Sequence, residues 1–485
     1  MIVLGAYPDA VPATSGSKPL TALERFLARL DGRLALHLLP FYPSDGDGGF
    51  APSSLAEVQP QLGDWHDIRR LAQQRRLIVD GIYNHVGFSH PLARAFFADP
   101  LGDHVLFAFR PGEVADAPNS PRGGAPLRLH TVLGQRWLLW QTFSAVAADI
   151  QIEHPQVLAM IDEHLNLIAD CGCWGVRLDA PAYFAKVPGE QHRHHPQAYR
   201  LTRRLADLAL AKGLMVTAQL DCDEHGLGYL PREDGYEAPI VDYAFSAQLA
   251  LALLTEDVTH LAAHLRATWN LSSPLLRAPR THDGILLRSK LLSETARARL
   301  VTAARDVGLA PRMIDGRDYE FNCSLPELYA KAVGPQQMYA RLELAVLISV
   351  LAPGWAYLYL PMLLGELPSP LHADDPRALN RQPVGADSLA NFAVGRSGAS
   401  MRQLLTVLVE IDERLEEPEP GSAEAVQILA PSVLAVERAG PVRAVLNLSA
   451  SAGFDLRYQP SGAVLVARRL RGAGLGPLGF VVWNG

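Results

Sequence analysis

The sequence is poor in cysteine and carries no excess of basic residues. Four cysteines occur among 485 residues, and only Cys171 and Cys173 lie close together, so neither a disulfide scaffold nor a zinc site built from two spaced pairs is indicated. Lys and Arg together number 44 against 51 Asp and Glu, which gives a net charge of −7. Binding to nucleic acid normally needs clustered basic charge, so we expect no nucleic-acid partner.

Long apolar runs are also missing. The apolar stretch at 342–361 is interrupted by Glu343, Pro353 and Gly354, and it falls short of the roughly 18 apolar residues that a membrane helix requires. The first residues, MIVLGAYPDAVPATSG, lack the basic segment and the long apolar segment of a secretory signal. We therefore expect a cytoplasmic protein with no membrane partner.

The composition is that of a globular protein, with 48% hydrophobic and 20% charged residues. Short β-type runs at 34–40, 77–85, 174–180 and 214–221 alternate with longer helical patterns. Such alternation is typical of parallel strands joined by right-handed crossovers, either in a doubly wound sheet or in a closed barrel.

Stretches without this rhythm divide the chain. We expect three barrel segments at 1–85, 151–284 and 331–417, an inserted loop-rich domain at 86–150, and a second insertion at 285–330. From 418 to 485 the short alternating runs predict a small antiparallel β domain.

Polar residues recur at the carboxyl ends of the predicted strands. They are Asp80, Asn84, His85, Arg177, Asp179, Gln219, Asp221, His282 and Asp283. In a (β/α)8 barrel the carboxyl ends of all the strands meet on one face, where active sites form. The clustering therefore favours an enzyme.

Four segments, in the same order, resemble conserved regions of the α-amylase superfamily of glycoside hydrolases and transglycosylases. They are LHLLPFYPSDGDGGFAP (36–52), DGIYNH (80–85), GVRLDA (175–180) and THDGI (281–285). The first segment, DAPAYFAKVPG after the third, and NR at 380–381 resemble the sucrose phosphorylase branch. The resemblance covers residues 1 to roughly 410. It implies an α/β fold of the (β/α)8 TIM barrel type and a retaining mechanism that uses neither a metal nor an organic cofactor.

The resemblance also implies roles for the strand-end residues. Asp179 would be the nucleophile that forms a β-glucosyl ester, Arg177 would keep it ionised, and Asp283 would stabilise the transition state. The remaining glucose contacts would come from Asp47, His85, His282 and Arg381. A pocket closed by an Asp47–Arg381 pair leaves room for one sugar ring.

The position of the general acid departs from the pattern of the family. The family has a glutamate at the end of the strand at 214–221, where this chain has Gln219. An amide cannot act as an acid, and general acid catalysis contributes about 10²–10⁴-fold to the rate. Three explanations stay open: an engineered Glu→Gln variant with reduced activity, an enzyme that recruits Asp221, Asp223 or Glu224, and a noncatalytic sugar-binding protein.

The loops around the glucose pocket predict the acceptor. Phosphate needs arginine and tyrosine donors just outside this pocket, and by resemblance Arg122, Tyr183 and Tyr319 supply them. Glu320 counts against phosphate, because the family more often has a neutral amide there. Asp221 stands where sucrose phosphorylases tend to carry a histidine, and it would favour a polyol leaving group such as glycerol over glycerate.

We therefore predict a retaining α-glucoside phosphorylase. It would transfer a glucosyl unit reversibly from a small α-glucoside, of the sucrose or glucosylglycerol type, to inorganic phosphate, giving α-glucose 1-phosphate. A retaining α-glucosidase or transglucosidase is one alternative, and a noncatalytic sugar-binding protein is another. The expected partners are the glucoside and phosphate, in a monomer or homodimer. Because the HRHH cluster at 192–195 lacks spaced acidic partners, we expect a solvated loop there and no metal site.

Overall fold

The computed structural model describes residues 1–114, 124–190, 193–223, 239–271, 274–314, 316–368, 378–415, 425–438, 442–456 and 462–484. Its strands are β1 (Ile2–Ala6), β2 (Ala35–Leu38), β3 (Leu77–Gly81), β4 (His85–Gly87), β5 (Ala108–Phe109), β6 (Leu127–Val132), β7 (Gln135–Trp140), β8 (Ala147–Asp149), β9 (Gly175–Leu178), β10 (Met215–Asp221), β11 (Ile240–Val241), β12 (Leu275–Arg277), β13 (Ile285–Leu286), β14 (Arg312–Ile314), β15 (Arg317–Phe321), β16 (Trp355–Tyr359), β17 (Val426–Ala430), β18 (Val433–Arg438), β19 (Val442–Asn447), β20 (Phe454–Asp455), β21 (Val464–Arg471) and β22 (Gly474–Asn484).

The α-helices of the same residues are α1 (Pro19–Leu27), α2 (Trp65–Gln74), α3 (Pro91–Ala98), α4 (Pro155–Asp170), α5 (Pro196–Ala211), α6 (Tyr243–Thr255), α7 (Thr259–Ala267), α8 (Glu294–Asp306), α9 (Leu325–Val333), α10 (Pro335–Leu351), α11 (Leu360–Leu363), α12 (Ala378–Arg381), α13 (Ala386–Val394) and α14 (Arg396–Asp412). Short 3-10 helices lie at Asp47–Gly49 and Pro181–Tyr183. None of the helices in the described ranges is long and apolar enough to cross a membrane.

Eight parallel strands close into a barrel at the centre of the molecule. Around the barrel, β1, β2, β3, β9, β10, β11, β12 and β16 follow each other in chain order, and β16 pairs with β1. Strands covered on both faces read as continuous apolar runs, as in β1, where all five residues of IVLGA are buried. The (β/α)8 barrel predicted from the sequence is confirmed.

Smaller sheets extend from this barrel. Between β3 and β9, β4 pairs with β8, and β7 pairs with both β5 and β6. Between β12 and β16, β15 pairs with both β13 and β14. The last six strands form an antiparallel sheet, so the predicted C-terminal β domain is also confirmed. The exact domain limits given above stay predictions.

Three helices begin with the dipeptide His-Pro. In α3, α4 and α5 the proline occupies the first turn, and the ring of His90, His154 or His195 accepts a backbone N–H two residues further on. Proline suits this position because its missing N–H would have no partner inside the helix. His195 of the HRHH cluster therefore has a capping role.

A buried ion-pair cluster fixes the side of the barrel where β11 and β12 end. The carboxylate of Asp242 accepts hydrogen bonds from Arg277 and from His264, the latter at 2.8 Å, and Asp242 and Arg277 are fully buried. Burial alone raises the pKa of Asp242, but His264 and Arg277 outweigh it and hold this pKa below its usual range. The cluster therefore keeps a charged carboxylate inside the barrel wall.

Replacing Arg277 with leucine leaves the carboxylate of Asp242 buried without its guanidinium. We expect the free energy of unfolding, measured by urea denaturation, to fall by about 3–5 kcal/mol. The matched control is Arg299→Leu, which removes the exposed ion pair with Asp257 and should cost less than about 1 kcal/mol. Equal losses in the two variants would contradict a structural role for the buried cluster.

Candidate active site

A cavity lies at the carboxyl ends of the barrel strands and brings together most of the predicted site. Of the twelve residues predicted to be catalytic or to bind the glucoside or phosphate, ten line it: Asp47, His85, Asp179, Tyr183, Gln219, Asp221, His282, Asp283, Tyr319 and Arg381. Arg177 lines an adjoining cavity within the barrel. Arg122 lies outside the described residues.

Asp179 follows β9 directly and is 6% exposed. Its backbone N–H donates to the carbonyl of Gly81 on the neighbouring strand at 3.1 Å, and its carboxylate accepts a hydrogen bond from Nη1 of Arg177 at 3.3 Å. Burial raises the pKa of Asp179 to about 7, against the lowering effect of Arg177. The chain then turns away through Ala180, whose φ of 51° lies in the left-handed region. The carboxylate of Asp179, the predicted nucleophile, is therefore held in place where it lines the cavity.

Arg177 is fixed from its other side by Asp80. The two residues lie side by side in the register of β3 and β9, and Nη1 of Arg177 also donates to Asp80. Asp80 is fully buried and has His37 Nε2 as a second partner at 3.1 Å. Although burial raises the pKa of Asp80, Arg177 and His37 lower it to about 2. Asp80 thus orients the guanidinium that contacts Asp179.

One end of the cavity is closed by a cluster of opposite charges. Arg381 donates through Nη1 to the backbone carbonyl of Asp47 at 2.6 Å, and through Nη2 to Oδ1 of Asp283 at 3.2 Å. Its Nη1 is also 3.4 Å from Oδ1 of Asp47. Gly48 permits this approach, since a Cβ there would lie 2.4 Å from Nη1 of Arg381 and the residue has a φ of +61°. The glycines of the DGDGGF run therefore serve the contact between Asp47 and Arg381.

His282 and His85 lie on either side of Phe50. The ring of His282 stacks on Phe50 with 5.2 Å between centroids, and its Nε2 is 3.6 Å from Oδ2 of Asp283. Burial lowers the pKa of His282 to about 3, so the ring is neutral near pH 7. His85 donates from Nε2 to the backbone carbonyl of Phe50 at 2.5 Å and has Asn84 Nδ2 as a partner at Nδ1. Both ring nitrogens of His85 thus have protein partners.

A buried ion pair that the sequence analysis did not predict contacts Asn84, which is a partner of His85. The carboxylate of Asp149 lies 2.7 Å from Nζ of Lys186 and accepts from Asn84 Nδ2 at 3.1 Å. Both charged side chains are at most 1% exposed. Lys186 lies in the segment DAPAYFAKVPG that carries the family resemblance, but nothing in the sequence links it to Asp149, which only the folded barrel brings next to it.

Gln219 contacts both the residue that follows Asp179 and the carboxylate of Asp283. Its Oε1 accepts from the backbone N–H of Ala180 at 3.1 Å, and its Nε2 donates to Oδ2 of Asp283 at 3.4 Å. A glutamate here would make the second contact only in its protonated form, because two carboxylates repel each other. The amide therefore takes the place of a protonated acid, yet it has no acidic proton to give.

The other end of the cavity contains two arginines that sequence reasoning missed. Arg193 and His194 line it, so the expectation of a solvated loop at 192–195 is wrong for these two residues. The Nε of Arg193 is buried and makes no hydrogen bond. Arg288 also lines the cavity, with its guanidinium 4.8 Å above the ring of Tyr319. Both arginines come from irregular segments, where the sequence carries no pattern that places a side chain.

Within the described residues, no group of three or more histidines, cysteines, aspartates or glutamates is arranged to hold a metal ion. The four cysteines, all in described segments, are buried and free. The chemistry available in the cavity is that of carboxylates, guanidinium groups, imidazoles and phenols.

Comparison with known proteins finds similar chains among the phosphorylases. No protein-family model matches the chain. A glucosylglycerate phosphorylase of Allomeiothermus silvanus is 34% identical over 223 residues, which cover 45% of this chain and 40% of that protein. A sucrose phosphorylase of Agrobacterium vitis is 27% identical over 428 residues, 81% of each chain. The crystal structure of sucrose 6F-phosphate phosphorylase from Thermoanaerobacter thermosaccharolyticum shares the fold, with a TM-score of 0.77 and 19% identity over 92% of this chain and 93% of that one.

In sequence the chain is similar to disaccharide phosphorylases of the sucrose phosphorylase type, as the sequence segments predicted. Its fold is that of sucrose 6F-phosphate phosphorylase. The matched stretches span 40% and 49% of two glucosylglycerate phosphorylases, less than half of each protein. The roles of the individual site residues stay predictions.

The burial of two carboxyl groups in this cavity can be tested by titration. We expect ¹³C NMR of aspartate-labelled protein to show two carboxyl carbons that titrate near pH 7, since burial raises the pKa of Asp179 and of Asp221 to about 7 each. Asp179→Asn should remove one signal and Asp221→Asn the other. Titration of both groups below pH 5 would show that they are solvated and would contradict the described burial.

Proposed function

We propose that the protein is a retaining α-glucoside phosphorylase. It transfers a glucosyl unit from a small α-glucoside to phosphate through a β-glucosyl ester on Asp179, and releases α-glucose 1-phosphate. The observation that carries this proposal is the lining of the cavity, which combines Asp179 with the paired charges of Asp47, Asp283 and Arg381 and with the arginines Arg193 and Arg288.

The first half-reaction uses Asp179 as the nucleophile. Its carboxylate attacks the anomeric carbon while the bond to the leaving oxygen breaks, so the configuration inverts once. Only the ionised form can attack, so the hydrogen bond from Arg177 at 3.3 Å favours the reactive state. Attack by phosphate on the ester inverts the configuration again, which restores the α-anomer.

The closed end of the cavity accounts for transfer of a single glucosyl unit. The contacts of Arg381 with Asp47 and Asp283 already pair these charges in the folded chain, so they form a rigid wall. The polar atoms of such a wall can hydrogen-bond the hydroxyls of a terminal glucose, which favours the binding of a terminal glucosyl unit. Asp283 lies next to Gln219, where its charge stabilises the oxocarbenium-like transition state.

The arginine end of the cavity supports phosphate as the acceptor. Arg193 and Arg288 line it together with Tyr183 and Tyr319, and guanidinium groups bind phosphate with charge-assisted hydrogen bonds. The charge of Glu320, which argued against phosphate, is paired with Nη1 of Arg312 at 3.3 Å. The acceptor end therefore keeps a cationic character despite this carboxylate.

The relatives support the same class of reaction, since they are named as phosphorylases of glucosylglycerate, sucrose and glucosylglycerol. Burial raises the pKa of Asp221 to about 7, so this side chain is substantially neutral near pH 7. A neutral carboxyl does not repel glycerate, and the argument for glycerol over glycerate therefore loses its force. Sucrose, glucosylglycerol and glucosylglycerate are therefore all candidate substrates.

We expect the protein to convert at least one of sucrose, glucosylglycerol and glucosylglycerate to α-glucose 1-phosphate, and only when phosphate is present. Asp179→Asn should lower this rate by at least about 10³-fold, because the ester cannot form. Glucose and α-glucose 1-phosphate are measured enzymatically in the same samples. Release of glucose at an equal rate without phosphate would instead identify a retaining α-glucosidase.

Removing the guanidinium of Arg193 should weaken phosphate binding selectively. In Arg193→Gln we expect the KM for phosphate to rise about tenfold or more, since a charge-assisted hydrogen bond is worth about 1.5–3 kcal/mol. Hydrolysis of α-glucosyl fluoride without phosphate should stay within about twofold. Arg200→Gln, at an exposed position of α5, is the control. An unchanged KM for phosphate in Arg193→Gln would remove Arg193 from the acceptor site.

A further inference from the structure

The reaction needs a proton for the leaving oxygen, and position 219 cannot provide it. Both polar atoms of Gln219 already have partners, Ala180 and Asp283, and an amide has no proton that transfers near pH 7. An alkoxide leaving group without a proton donor costs about 10²–10⁴-fold in rate. An active enzyme therefore requires another acid at the cavity.

Asp221 is placed close to this position by the strand itself. Residues two apart on a strand face the same side, about 7 Å along the chain, and both Gln219 and Asp221 line the cavity. The register between β10 and β11 also shifts here: Ala218 N–H bonds to the carbonyl of Pro239, and Cys222 N–H to that of Val241. The chain thus advances by four residues from Ala218 to Cys222 on the side of β10, but by only two residues, from Pro239 to Val241, on the side of β11. Such irregularities re-aim side chains next to active sites.

The surroundings of Asp221 favour a carboxyl that carries a proton. The residue is 4% exposed, and its Oδ1 makes no hydrogen bond to a described residue. Among the described residues, Ser289, which hydrogen-bonds it, and the charged groups of Asp242, Asp223 and Arg193 act on it most strongly. Asp242 and Asp223 are acidic and disfavour a second negative charge. Three other described aspartates, Asp80, Asp149 and Asp242, are also buried, but each forms an ion pair. Their partners are Arg177, Lys186 and Arg277.

We propose that Asp221 is the general acid and base of this chain, in place of residue 219. This inference rests on the proposed function. In the first step Asp179 bonds to the anomeric carbon, the electron pair of the broken bond goes to the leaving oxygen, and Asp221 gives that oxygen its proton, directly or through one water molecule. In the second step phosphate bonds to the anomeric carbon, the ester to Asp179 breaks, and the carboxylate of Asp221 takes the proton of phosphate.

A leaving group that needs no proton separates this role from that of Asp179. Fluoride departs without protonation, so the ester forms from α-glucosyl fluoride with Asp179 alone, whereas its formation from glucosylglycerol needs both carboxyl groups. Azide attacks the ester without a base, so it removes the need for Asp221 in the second step as well. With azide as the acceptor, we expect Asp221→Asn to lower the rate on glucosylglycerol by about 10²-fold or more and the rate on α-glucosyl fluoride, which then yields α-glucosyl azide, by less than about threefold. Asp67→Asn, which removes a buried carboxyl that does not line the cavity, is the control and should behave as the unchanged protein.

The pH dependence of the unchanged protein gives a second test that requires no variant to fold. With α-glucosyl fluoride, the rate should fall only as the pH drops below about 7, where Asp179 becomes protonated. With glucosylglycerol, it should fall on the acid side for the same reason and also on the alkaline side, as Asp221 loses its proton above about 7. An alkaline limb common to both substrates would assign it to another group and overturn the role of Asp221.

The remaining outcomes separate this inference from the proposed function. Equal losses on both substrates in Asp221→Asn, or no loss on glucosylglycerol, would overturn the role of Asp221. So would an unchanged protein that turns over α-glucosyl fluoride with phosphate but none of sucrose, glucosylglycerol and glucosylglycerate, since it would lack an acid altogether. If the unchanged protein does not turn over α-glucosyl fluoride either, the proposed function itself fails.

Discussion

The guanidinium of Arg177 contacts two carboxylates, the structural Asp80 and the proposed nucleophile Asp179, and the site depends on these two contacts. On one side it pairs with Asp80, which is fully buried. On the other it donates to Asp179 at 3.3 Å, at the floor of the cavity. Because the parallel register of β3 and β9 aligns Asp80 with Arg177, the barrel itself sets the position of the proposed nucleophile. Its pKa then reflects a balance between burial, which comes first, and the charge of Arg177.

The polar groups of the cavity are paired to different degrees. Arg381 contacts both Asp47 and Asp283, so these charges are already paired within the folded chain. Four other polar atoms of the cavity are buried without a hydrogen bond to a described residue: Arg381 Nε, His282 Nδ1, Arg193 Nε and Asp221 Oδ1. Unsatisfied polar atoms of this kind cost free energy. Their retention in the cavity is consistent with the binding of a polar ligand.

Much of this arrangement follows from the sequence, because the carboxyl ends of barrel strands lie on one face and side chains alternate along each strand. The alternation of Arg177 and Asp179 on one strand, and of Gln219 and Asp221 on another, already predicts shared faces. The contact of Arg381 with Asp47, by contrast, is predicted only by the family resemblance. Arg193 and the Lys186–Asp149 pair could not be predicted. They lie in segments without a period, and their positions depend on contacts between distant parts of the chain.

The central claim is that Asp179 carries the glucosyl unit during transfer, and trapping this ester tests it most directly. The protein is incubated with 5-fluoro-α-glucosyl fluoride, which slows both steps, and its peptides are then analysed by mass spectrometry. The account predicts a fluoroglucosyl group on the peptide that contains Asp179, and faster loss of this label when phosphate is added than in water alone. A label on another residue, or turnover of α-glucosyl fluoride with no labelled peptide, would contradict it.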